Sequence, residues 1–240
     1  MTWETLNRTG VIDPFYFPAP TALWLTLLEL TTAGYPDGIT VGRHVVASLQ
    51  RVVLGFLIAA AVAIPAGLLI GQSRILYLAT NPFITFGRSI AAISLLPLFI
   101  AWFGIEELSK VMLISLSTFW VILTNTIAGV KMVDPTLIRA ARSLDTKPLT
   151  LFTLVVLPSA LPRIFTGLKI GLSVAFMVIV AAEMIATVLG LGALIQEARN
   201  TFRTDIVMAG MIIIGLVGWF ISRMLDVLER RLLPWRTEES

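Results

Sequence analysis

Residues 52–71 read VVLGFLIAAAVAIPAGLLIG, an unbroken apolar run with Arg51 at its leading edge. A helix rises about 1.5 Å per residue, so roughly 20 such residues cross a hydrocarbon core about 30 Å thick. The run is continuous rather than alternating, which fits a membrane helix and not a barrel strand. Four further stretches read the same way. Ser89–Ile105 is uncharged after Arg88, Val111–Val130 is uncharged between Lys110 and Lys131, and Ile206–Ser222 between Asp205 and Arg223. The stretch from about Leu161 to Val188 is also apolar, but it holds Arg163 near its start and then Lys169 and Glu183. The expected spans are about 45–71, 86–105, 108–131, 161–188 and 204–226, an all-α polytopic membrane bundle forming one domain over residues 1–240.

Composition agrees. Apolar residues make up 57% of the chain and charged residues 14%, with a mean hydropathy of +0.89. Soluble domains carry about 25% charged residues, so the lipid bilayer is this chain's main solvent. The net charge of +3 is not gathered into a patch that would suit nucleic acid; the cations flank the apolar runs as topology determinants do. Cysteine is absent, and His44 is the only histidine, which leaves little for thiol chemistry or a metal site. No G-x-x-x-x-G-K-[ST] phosphate loop occurs, and Gly190-Leu-Gly-Ala lacks both the third glycine and the preceding strand of a dinucleotide loop.

Lys and Arg in the connections set the orientation. One set holds Arg74, Lys131, Arg139, Arg142, Lys147 and Arg163, and the tail Arg230, Arg231 and Arg236. The other holds Arg8, Arg43, Lys110, Arg199 and Arg203 together with most of the acids. The first set is expected to be cytoplasmic, with the C-terminus inside and, for five spans, the N-terminus outside. Residues 1–43 carry no signal peptide, and Pro20–Thr32 is helix-forming but too short to cross. An odd span count with an exported start suggests a missing first helix.

Between the third and fourth spans lies the cytoplasmic stretch KMVDPTLIRAARSLDTKPLTLFTLVVLPSALP, residues 131–162. Asp134-Pro135 reads as a helix start, with Asp at the N-cap and Pro at the first turn. Leu137, Ala140, Ala141 and Leu144 then fall at helical spacing. Lys147-Pro148 breaks this helix, and a second apolar helix, Leu149–Val156, leads into Leu157-Pro158. Two short helices between spans form a knob suited to a partner's groove.

This loop, 132–160, resembles the coupling segment of binding-protein-dependent ABC importer permeases. Their signature is Glu-Ala-Ala, three residues, Gly, nine residues, Ile, one residue, Leu-Pro. Here Arg139-Ala140-Ala141, Asp145, Val155 and Leu157-Pro158 keep the spacing, with Arg139 in place of Glu and Asp145 in place of Gly. Asp tolerates a left-handed turn better than most residues do. The stretches ASLQRVVLGFLIAA, NPFITFGRSI, GLKIGLSVAFMVIVAAEMIA and LERRLLPW are similar to the nitrate/sulfonate/taurine subgroup. A Pro-rich pattern usually follows the subgroup's equivalent of Arg88. Here Ser89, Ala91 and Ala92 stand there, with Pro97 retained, and a less broken helix is expected. The opening WETLNRTGVIDPFYFPAP resembles the end of the family's first helix, and the family has six spans where five are counted.

The resemblance implies a type I importer permease working with a cytoplasmic ABC ATPase dimer, a second permease copy in a homodimer, and an external or periplasmic substrate-binding protein. It implies no cofactor on this chain, ATP and Mg being used by the ATPase, and a place in the bacterial cytoplasmic (inner) membrane. Arg139, Ala140, Ala141, Leu144, Asp145, Leu157 and Pro158 would carry the coupling. The solute class implied is a small anion such as an alkanesulfonate, taurine, nitrate or bicarbonate.

Other residues stay open between two readings. Glu183, costly inside an apolar helix, forms an ion pair with Arg51 or Arg88 or serves the pathway. Arg51, Arg88 and Lys169 read as snorkelling residues near span ends. Thr118 and Asn125, one heptad apart, line a pathway or bond neighbouring helices. Gly67-x-x-x-Gly71 and Gly167-x-x-x-Gly171 permit close helix contact. A self-contained secondary transporter or channel is the alternative function and would call for inverted repeats and paired midplane ionisable groups. An intramembrane enzyme would need a nucleophile with a base, or metal ligands, at bilayer depth.

Overall fold

The structure, a computed structural model, describes residues 2–9, 13 and 15–233. The chain forms α1 (Thr2–Arg8), α2 (Pro20–Thr32), α3 (Val41–Gln72), α4 (Arg74–Ser89), a 3-10 turn (Ala92–Leu95), α5 (Leu96–Phe103), α6 (Glu107–Lys131), α7 (Pro135–Ser143), α8 (Pro148–Leu151), a π turn (Phe152–Val156), α9 (Leu157–Ala186), α10 (Leu191–Asn200) and α11 (Thr204–Leu232). Parts of the opening stretch (residues 1, 10–12 and 14) and of the tail, with Arg236, lie outside the described residues, as does the side chain of Arg8.

Four helices are long and apolar enough to cross a bilayer: α3, α6, the unit Pro148–Ala186 and α11. A broken pair, Arg74–Ser89 followed by Ala92–Phe103, bent by 84°, is apolar enough only when taken together, as a broken span or a re-entrant loop. This corrects two expectations. The helix leading into the expected second span begins at Arg74 rather than at 86, capped by the Ser73 hydroxyl accepting from the Leu76 N–H at 3.3 Å. The helix is also sharply broken despite Ser89, Ala91 and Ala92. Ile90 (ψ 125°) and Ala91 (ψ 108°) are extended, and the chain resumes as a 3-10 turn before Pro97 opens α5.

A third difference lies in the 132–160 loop. Only α7 stands apart there; α8, the π turn and α9 run on as one helical unit into the membrane. Pro158 sits where the π turn passes into α9, so its missing N–H falls at a break in the regular hydrogen-bond ladder.

The centre of the bundle is α6, held between α3 and α9 by small residues. A Cβ at Gly67 of α3 would lie 2.7 Å from Thr126 Cβ, and one at Gly71 would lie 2.7 Å from Val130 Cβ. On the other side, a Cβ at Gly167 of α9 would lie 2.6 Å from Asn125 Cβ, and one at Gly171 would lie 3.1 Å from Thr118 and Ile122. In lipid, close backbone approach of this kind replaces the hydrophobic effect as the source of helix association. Thr118 and Asn125 do share a face, and that face packs on α9. Thr118 is fully buried, and the Asn125 amide donates to the Val121 carbonyl at 2.9 Å. α2, expected over Pro20–Thr32, occupies that range and packs Leu30 with Leu194, Ala198, Ile206 and Ala209 of α10 and α11.

Candidate functional site

Three features carry the chemistry: the α7 segment, a buried polar node at the other end of the bundle, and an open groove beside α4. α7 is built by its termini. Asp134 Oδ1 accepts the Thr136 N–H at 2.7 Å, and Pro135 takes the first helical position. The Thr136 hydroxyl, with its N–H, holds the Asp134 carboxyl below the usual carboxylate range.

At the far end Asp145 adopts φ 54°, its N–H donates to Arg142 O at 3.0 Å, and the Thr146 N–H donates to Ala141 O at 3.3 Å. This is a Schellman motif, whose left-handed position favours Gly. The glycine of the family signature is therefore replaced here by a residue that holds the same backbone conformation. One side chain, Ile138, anchors α7 by packing on the cluster of Val130, Val133, Val156, Ala160 and Ile164. The stripe on the other side is open: Leu137 is 50% and Leu144 81% exposed, Arg139 and Ala140 are exposed, and Ala141 is half-buried. Leu157 and Pro158 are half-buried, and Leu157 packs with the same anchoring cluster.

At the opposite end Glu183 is fully buried among donors. Arg51 Nη1 donates to its Oε1 at 2.6 Å, the Ser48 hydroxyl to its carboxylate at 2.8 Å, and the Gly192 N–H to Oε2 at 3.0 Å. Arg51 also donates to the Leu189 carbonyl (2.7 Å) and, through both Nε and Nη2, to Glu107. The Leu191 N–H reaches Ser48 Oγ at 2.9 Å. His44 completes the node: Nδ1 faces the N–H (3.1 Å) and carbonyl (2.9 Å) of Gly190, and Nε2 faces the Tyr35 carbonyl (3.1 Å). The node ties α3 to the α9–α10 turn. Gly190, at φ 146°, leaves no room for a Cβ beside the Glu183 carboxylate.

The partner of Glu183 is thus Arg51 and not Arg88. Arg51, expected to snorkel, is only 3% exposed, because three acceptors await it inside the bundle. Lys169, also expected to snorkel, turns to α11, bridging Asp226 at 2.5 Å and pairing with Glu229. Sequence reading missed Ser48 and Glu107 as members of the node. The signal was the spacing of His44, Ser48 and Arg51, a polar stripe of helical period in an apolar helix.

Arg88 stands elsewhere. It lines a groove of about 730 Å³ walled by Phe86 and Gly87 of α4, Ile93 after the break, Ser117 and Trp120 of α6, and Met177 of α9. A Cβ at Gly87 would overlap the Trp120 ring, and Trp120 lies near the middle of α6. Arg88 therefore lies beside the middle of α6 rather than beside either of its ends.

A helical bundle of apolar spans, with an exposed apolar helix between two of them, has the architecture of a membrane transport subunit. The comparisons bear this out. Residues 63–235 match the family model described as "Binding-protein-dependent transport system inner membrane component", and the chain belongs to that family. It is 38% identical to the taurine transport system permease protein TauC of Escherichia coli (strain K12), over 98% of this chain and 86% of that protein. It is 36% identical to a putative aliphatic sulfonates transport permease protein, SsuC, of Bacillus subtilis (strain 168), over 98% and 83%. The fold is similar to that of the MetNI methionine ABC transporter in an inward-facing crystal form, with a TM-score of 0.61 at 20% identity, covering 76% of this chain and 94% of that one.

Proposed function

We propose that this permease spans the cytoplasmic membrane with its C-terminus inside, pairs with a second copy of itself, and docks a separate ATPase dimer through α7. The observation that carries this reading is the exposed stripe Leu137, Ala140 and Leu144, on a helix anchored by Ile138 and capped at both ends outside the spans. An apolar stripe exposed outside the bilayer fits a helix seated in a partner's groove. The Lys and Arg residues around α7 and the end of α11 favour this side as cytoplasmic. An external binding protein delivers the solute, and ATP and Mg act on the ATPase, driving α7 and turning the pathway outward. Arg139 stands where the family signature has Glu, which calls for a reciprocal change on the ATPase. The solute is a small anion of the sulfonate, taurine, nitrate or bicarbonate kind, the class suggested by the names of relatives that also include a nitrate and a bicarbonate permease.

Co-purification from the native membrane tests this reading. An ATPase in equal ratio, lost when Ala140 and Ala141 are replaced by Glu, supports it. A complex that imports solute in membranes depleted of ATP refutes it.

A further inference from the structure

Arg88 is exposed on the wall of its groove, and it differs from Arg51 and Lys169 in what it meets. Arg51 and Lys169 each bind carboxylates. No described carboxylate pairs with Arg88, and it is the only ionisable side chain lining its groove. The remaining walls are almost wholly apolar, with the Ser117 hydroxyl already donating to the Ile114 carbonyl at 2.9 Å.

Its depth makes this costly. The contact of Gly87 with Trp120 places Arg88 level with the middle of α6, where a snorkelling side chain has furthest to reach in either direction. An unpaired charge near the bilayer centre costs several kcal/mol by most measures, roughly 2.5–3.5 on insertion scales, and marks a solute or ion path. The 84° break directly after Ser89 adds a second observation. It interrupts the span at the same depth, and irregular backbone there is tolerated where it lines a cavity or is covered by protein. A guanidinium fork suits planar or tripodal oxyanions, which accept two parallel hydrogen bonds.

We propose that Arg88 is the anion-selecting residue of the translocation pathway, meeting the oxygens of a sulfonate or nitrate group midway across the bilayer. This rests on the reading above that the chain forms the pathway of an anion importer. The groove wall is one side of that pathway, and Arg88 supplies its only fixed charge. An anion leaving the binding protein exchanges water for the guanidinium, and a neutral solute of equal size gains nothing there.

The test uses the complete complex, with its ATPase and binding protein, in proteoliposomes, with labelled taurine, ethanesulfonate and nitrate as probes. Arg88→Gln is expected to lower uptake of the transported probe by at least about tenfold, the loss of a charge-assisted contact. Co-purification of the variant with its ATPase and loaded binding protein stays native, because no described contact to another helix is removed. Arg88→Lys, which keeps the charge without the fork, retains more uptake than Arg88→Gln. Uptake by Arg88→Gln within about twofold of native overturns the proposal, as does a parallel fall of uptake, hydrolysis and assembly, which signals a structural role. Equal loss in the Lys and Gln variants removes charge as the selecting property and overturns it too. A native complex that imports none of the probes sinks the anion reading itself. Native import with an unaffected Arg88→Gln variant sinks only the role of Arg88.

Discussion

Arg51 donates to Glu183 Oε1 at 2.6 Å where neither residue is more than 3% exposed, joining α3 to the end of α9. The pair is one part of a node that also fixes the backbone at Leu189, Leu191 and Gly192. Removing one partner of a buried pair leaves an uncompensated charge and costs about 3–5 kcal/mol. Glu183→Ala is therefore expected to lower the thermal stability of the detergent-solubilised protein markedly. Arg51→Met with Glu183→Leu is expected to cost less than the sum of the single changes. Strict additivity in that double-mutant cycle would show that the two charges do not interact.

The α6–α9 contact predicts a contrast between glycines. Gly167→Ala puts a methyl 2.6 Å from Asn125 Cβ and should destabilise by about 1–3 kcal/mol, the usual cost of overpacking. Gly215→Ala in α11, with nothing within 4 Å of the new methyl, should be tolerated. Thermal unfolding of the two variants side by side checks this, and equal behaviour would contradict the packing described.

At the end of α7, Asp145 holds a left-handed conformation that Gly adopts freely. Asp145→Gly is expected to leave ATPase association unchanged or slightly stronger. Asp145→Val should weaken it, because a β-branched residue at positive φ costs on the order of 1–2 kcal/mol. Titration of the solubilised permease with its ATPase measures both. Equal affinities for Gly and Val would exclude the Schellman end as a determinant.

Asp134 gives a pH prediction. Its carboxyl is held below the ordinary value, so capping is fully present above the unfolded pKa of about 3.9 and is lost as pH falls through the lower folded pKa. Docking through α7 should thus be insensitive to Asp134 ionisation between about pH 5.5 and 8. Asp134→Asn, an equally good cap, should behave as native, and Asp134→Ala should weaken docking. A loss in Asp134→Asn equal to that in Asp134→Ala would mean that the charge, rather than the cap, matters.

Much of this was legible in the residues. The uncharged runs fall on the four long apolar helices α3, α6, α9 and α11, because lipid punishes any charge placed inside them. The α7 termini were legible too: Asp134-Pro135 and the left-handed Asp145 are local devices, decided by side chains within a few positions. The limit came at α4. Arg74–Gly87 mixes Tyr77, Thr80, Asn81 and Thr85 with apolar residues and was too polar to read as membrane helix, so Arg88 was put at an edge.

By itself, then, the sequence determined the solvent, the helical class, the order of the apolar helices and the exposed helix α7 between two of them, all of which follow from local composition and short-range spacing. Tertiary structure alone decided who meets whom. Glu183 finds Arg51 more than a hundred residues away, Asn125 and Thr118 spend their face on Gly167 and Gly171, and Arg88 lines a groove where no described carboxylate meets it. Those outcomes depend on how long helices cross and how deeply each one sits, quantities that no single helix encodes.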